Sequence, residues 1–166
     1  MAVMDELLEA NKSFAESFDK GDTPMPPARK VAIVACMDAR LHPEKFLGLE
    51  IGDGHVIRNA GGRASDDAIR SLIISTELLG TKEFAVIHHT DCGMLTFDDK
   101  ALQEKLADRG DASGIDFLAF SDNEAAVRDD VEKIRSSPFI SGDVAVSGYI
   151  YDVATGALQT VVAAGS

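Results

Sequence analysis

Apolar positions along the chain fall into two rhythms. Residues 3–18 place Met4, Leu7, Leu8, Ala15 and Phe18 at close to helical spacing, and Gly21 follows as a stop. Three prolines within residues 22–27 exclude helix there and predict an extended linker. Val31 to Cys36 is a short, unbroken apolar run rich in β-branched residues, the pattern of a strand buried on both faces of a parallel sheet. A second strand is expected over 54–58, running into a tight turn at Asn59-Ala-Gly-Gly62. Ser65 is a good N-cap, with Asp66 and Asp67 in the first turn of a helix that keeps Ile69, Leu72, Ile73 and Thr76 on one face and ends by Gly80. Phe84 to His88 is a third buried strand.

In the second half, Thr96-Phe-Asp-Asp99 resembles a capping box opening a helix through about Ala107, and Ser121-Asp-Asn-Glu124 is another ahead of Ala125, Val127, Val131 and Ile134. Strands over Asp143 to Tyr151 and Ala157 to Val162 flank a turn at residues 152–156, so the last strand is expected to be antiparallel. Strands alternating with helices predict an α/β sheet with right-handed crossovers and helices on both faces. Gly52-Asp-Gly54 lacks the third glycine of a dinucleotide fingerprint, which argues against a nucleotide-cofactor site.

At 166 residues the chain suits one domain, and its formal net charge of −12 argues against nucleic acid or an anionic membrane surface as partner. No run approaches the ~20 apolar residues of a membrane span. The acidic N-terminus lacks the features of a secretory signal, so the expected compartment is the cytoplasm. Cys36 and Cys92 are the two cysteines, and in a reducing compartment metal binding or catalysis is favoured over a disulfide.

Both cysteines stand at strand ends. Cys36-Met-Asp38-Ala-Arg40 follows the first apolar run, and His89-Thr-Asp-Cys92-Gly93 follows the third. Open α/β sheets place ligands beyond the carboxyl ends of their strands, so neighbouring strands would bring Cys36, His89 and Cys92 together. One imidazole and two thiolates suit zinc, and three protein ligands leave a fourth position for catalysis. Two thiolates leave the metal a weaker acid than three histidines would, so a second group is needed to hold hydroxide on it. Asp38, gripped bidentately by Arg40, can accept the proton of that hydroxide. Released, Asp38 could itself become a fourth ligand in a closed state.

These two motifs, with the turn Arg58-Asn-Ala-Gly-Gly62 between them, resemble the β-class carbonic anhydrases, closely over residues 28–95 and loosely at Gly148 to Asp152. The resemblance implies a three-layer fold with four parallel strands and an antiparallel fifth. It implies zinc at Cys36, His89 and Cys92, an Asp38–Arg40 catalytic dyad, and a homodimer or dimer of dimers. The reaction it implies is reversible hydration of carbon dioxide to bicarbonate by zinc-hydroxide attack. Compact relatives of this type hydrolyse carbonyl sulfide or carbon disulfide at the same metal positions, and a non-catalytic zinc or redox-sensing module is a further alternative. With no Trp in the chain, a Trp-built bicarbonate-regulatory pocket does not carry over. Asn59, Gly61 and Gly62 are candidate pocket residues, their N–H groups suited to an oxyanion. Residues 1–27 are expected to form a helix and linker serving as a dimer arm, and 28–166 the zinc-binding domain.

The remaining candidates have plainer readings. His88 is expected to be a packed core histidine, His42 a loop or helix-cap residue, and His55 solvent-facing. Asp91 is read as a local Asx turn before a partner of a metal ligand, and the acidic helices around 98–132 as solvated faces.

Overall fold

The computed structural model describes residues 2–165, so the outermost residue of each expected unit, 1 and 166, lies outside the described residues. Five strands, β1 (Val31–Cys36), β2 (Gly54–Asn59), β3 (Glu83–His89), β4 (Ala145–Tyr151) and β5 (Leu158–Val162), form one sheet in the order β2-β1-β3-β4-β5. The first four are parallel and β5 is antiparallel to β4. The Asp152 carboxylate accepts the Ala154 and Thr155 N–H groups in the connecting turn. Among the described residues no helix is long and apolar enough to cross a membrane.

Alternation along the strands divides the core in two. Ala32, Val34, Phe84, Val86 and Val146 face α3 (Asp66–Glu77) and α5 (Asn123–Arg135), burying Leu72, Val131 and Ile134 with them. Ile33, Ala35, Ala85 and Ile87 face the other way, where Phe46 and Leu47 of α2 (Pro43–Leu47) are the helical cover. Beside α2 an open cavity of about 360 Å³ runs over this face, lined by Val31, Ile33, Ile87 and Tyr149 among others. The N-terminal helix α1 (Val3–Glu16) has no buried residue, and Val3, Met4, Leu7, Leu8 and Phe14 are exposed on it.

Several local expectations shift. Ser65 caps α3 through its hydroxyl, as its position suggests. The helix α4 (Asp99–Leu106), however, is capped by Asp98 rather than Thr96, and α5 by Asp122 rather than Ser121. In both cases a carboxylate closer to the helix takes the N–H three residues on, a favoured cap placed next to the expected one. Thr96 instead closes the single helical turn Gly93–Leu95, its hydroxyl donating to the Gly93 carbonyl. His55 is half-buried rather than solvent-facing, with Nδ1 2.7 Å from the Ser75 hydroxyl.

Candidate metal centre

β1 and β3 are adjacent and parallel, so their carboxyl ends deliver both motifs to one edge of the sheet. There one Sγ from each of Cys36 and Cys92 and a ring nitrogen of His89 lie within 4.8 Å of one another, all three residues buried. Gly62 fits the notch between the strands: a Cβ on it would stand 2.8 Å from the Cys36 nitrogen and 3.0 Å from the Ile87 carbonyl oxygen. Its φ of 68° and the 81° of Gly61 are left-handed, which glycine adopts without steric cost. Asn59 serves this same turn, with Oδ1 accepting the Arg63 N–H at 2.8 Å and Nδ2 donating to the Arg63 carbonyl at 2.8 Å.

The imidazole of His89 is fixed by its own neighbour. Nδ1 lies 2.8 Å from the Thr90 carbonyl, which can only accept, so Nδ1 carries the proton and Nε2 presents a lone pair. That Nε2 is buried with no aligned hydrogen-bond partner. A hydrogen bond from the Cys92 thiol pulls the Cys36 thiol well below its ordinary pKa against the opposing effect of burial. His89 and the Asp38 and Gly61 N–H groups add to that pull. The same thiol contact, together with burial, pushes Cys92 up. Burial is the largest single effect on His89 and opposes its charge, but Cys36, the Thr90 carbonyl and Asp38 together raise the imidazole. Two buried sulfurs sharing a proton beside an imidazole nitrogen with no aligned partner fit zinc, which would take the place of that proton and give Nε2 a partner.

Asp38 stands just outside this donor set, with Oδ2 3.8 Å from His89 Nε2. Arg40 holds both of its oxygens, Nε to Oδ1 at 3.0 Å and Nη2 to Oδ2 at 2.8 Å, and the Arg40 N–H adds a third bond to Oδ1. This side-chain grip, then the backbone bond, holds the Asp38 carboxyl far below the usual carboxylate range. Arg58 anchors the segment from behind, donating to the Cys36 and Asp38 carbonyls.

Two features were not legible in the sequence. Asp91 does not close a local Asx turn; its carboxylate takes Arg40 Nη1 at 2.7 Å, and its carbonyl takes Nη2. A positive φ of 55° at Asp91 puts it there. Asp130, on a helix expected to be solvated, is 2% exposed. It meets His88 Nε2 at 2.9 Å and Arg63 Nε at 2.8 Å, the latter an ion pair by distance rather than an aligned hydrogen bond. His88 is the expected core histidine, fully buried.

A carbonic anhydrase family profile matches residues 31–113. The β-carbonic anhydrase 1 of Mycobacterium tuberculosis is 46% identical over 165 residues, 97% of this chain and 99% of that protein. A crystal structure of carbonic anhydrase from Streptococcus mutans superposes with a TM-score of 0.92 at 46% identity, covering 97% of this chain and 98% of that one. The carbon disulfide hydrolase of an Acidianus strain is 35% identical over 81% of this chain and 78% of its own length.

Proposed function

The chain belongs to the β-carbonic anhydrase family, and from that premise we propose that it hydrates carbon dioxide reversibly at zinc held by Cys36, His89 and Cys92. The observation that carries this reading is the buried, unpartnered Nε2 of His89 facing two thiols. Bound there, zinc supplies Lewis acidity that activates water near neutral pH.

The chain's own residues do the rest. Asp38, ionised and held by Arg40, offers its outer lone pairs as acceptor for the proton of the attacking water. Arg40's fork also keeps that carboxylate from swinging onto the metal, which favours a catalytic centre over the closed site of a non-catalytic zinc or redox module. Gly62 lets the turn pass close behind Cys36, Gly61 packs toward Met94 and Phe120, and Asn59 braces the turn, which supports a role for these three beside the substrate. We assign residues 1–27 to a dimer arm: α1 exposes its apolar side chains, and the sheet face beside α2 leaves an apolar cavity uncovered. A homodimer or dimer of dimers in the cytoplasm follows, with buried free thiols suited to a reducing compartment.

Carbon disulfide hydrolysis is the second reading, favoured by the Acidianus relative, with carbonyl sulfide its chemical neighbour. Metal analysis and stopped-flow carbon dioxide hydration, run beside sulfide release from both sulfur substrates, separate these. We expect about one zinc per chain and hydration far exceeding sulfide release. The reverse ratio reassigns the substrate, and a purified protein without zinc removes the metal reading.

A further inference from the structure

His88 and His89 are adjacent in β3 and point to opposite faces of the sheet. His89 meets the two thiols; His88 meets α5. Between them stands Asn123, at the first position of α5 and half-buried. Its Nδ2 donates to the His89 carbonyl at 2.9 Å. That contact fixes which end of the amide is which, because a carbonyl accepts only, so Oδ1 faces His88 Nδ1 at 3.2 Å. His88 Nε2 in turn meets Asp130 Oδ2 at 2.9 Å, and Oδ1 of that carboxylate accepts the Ala64 N–H at 3.1 Å. A continuous chain of polar contacts thus runs from the buried interior of α5 to the carbonyl of His89.

The His89–Thr90 peptide is where this chain ends, and it is held on several sides. Thr90 N–H donates to the Tyr151 carbonyl at 2.9 Å, continuing the β3–β4 pairing. The Thr90 hydroxyl accepts the Val153 N–H at 3.0 Å. The next carbonyl along, that of Thr90, sets the tautomer and orientation of the His89 ring. Asn123 therefore grips the peptide that carries the ring and, through Thr90, aims it.

We infer that Asn123, backed by His88 and Asp130, is a positioning residue that fixes His89 as a metal ligand by holding its carbonyl. The inference rests on the reading of Cys36, His89 and Cys92 as the metal site. Partners that orient a ligating histidine cost roughly 10- to 100-fold in metal affinity when lost.

Asn123→Asp tests this with the shape kept and the donor removed. Loss of the donor leaves the His89 carbonyl unmatched, so a purely structural role predicts a falling thermal midpoint of the chelated protein, which the new carboxylate offsets only in part by complementing the helix dipole. We expect a zinc dissociation constant, measured by chelator competition, weakened about tenfold or more, with the thermal midpoint of the chelated protein held. Asn123→Ala, which also removes the donor without adding charge, is expected to weaken binding similarly. Zinc affinity within twofold of the parent in both variants overturns the inference. So does a loss of affinity matched by a falling midpoint of the chelated protein. A parent that binds no zinc removes the metal reading itself, whereas a parent that binds while the variants bind alike removes only the role of Asn123.

Discussion

Two carboxylates in this molecule each hold an arginine, in opposite surroundings. Asp38 grips Arg40 at the rim of the candidate metal centre, the two side chains 19% and 47% exposed. Asp130 meets Arg63 and His88 inside the fold, where the side chains of Asp130, Arg63 and His88 are 3%, 11% and 0% exposed. The rim pair comes from positions two apart in sequence and has ideal bidentate geometry. The interior cluster is gathered by the packing of α5 on the sheet, Asp130 reaching His88 across 42 positions and the Ala64 N–H across 66. Water screens the first, so its geometry matters more to reactivity than to folding. Nothing screens the second, so each member depends on the others to stay satisfied.

That contrast is broken most sharply from the inside. Asp130→Ala leaves Arg63 and His88 buried without their carboxylate, and should destabilise the fold by about 3–5 kcal/mol in urea unfolding. A change under about 1 kcal/mol would mean that the interior cluster behaves like a surface pair. Arg40→Ala should do the reverse, costing about 100-fold in kcat for carbon dioxide hydration while the protein stays folded. Freed from Arg40, the Asp38 carboxyl returns toward its ordinary pKa of about 4. Because Arg40 depresses Asp38 in the folded state, any stability it adds is present above about pH 4 and fades as pH falls through the folded value. The stability difference between parent and Arg40→Ala should therefore close in acid, and a difference that widens there refutes the grip. The smallest effect belongs to Asp91→Asn, which loosens only the outer, 79%-exposed contact on Arg40. Hydration should fall about threefold or less, and a far larger loss would make Asp91 part of the reacting machinery.

The same contrast explains what could be read in advance. β1 and β3 stand out because strands buried on both faces become unbroken apolar runs, and the candidate metal donors Cys36 and His89 close them, with Cys92 three residues further on. Asp38 and Arg40 were legible because their contact is local. Asp130 carries no such signal: it sits among charged neighbours, and its burial comes from occupying the same helical stripe as Ala126, Val127, Val131 and Ile134. At Asp91 the local turn tendency yields to a partner 51 residues away, which no short-range pattern signals. The five residues of α2 are too few to show a helical period in the sequence.

Neighbouring strands in any sheet run ~4.8 Å apart, and here two of them carry the two halves of the donor set. The backbone lattice itself is then the ruler for any metal held there, a dimension that substitution of side chains can scarcely retune. Diversification of chemistry on such a frame must be written into the segments that leave the strand ends, while the grip stays constant beneath them.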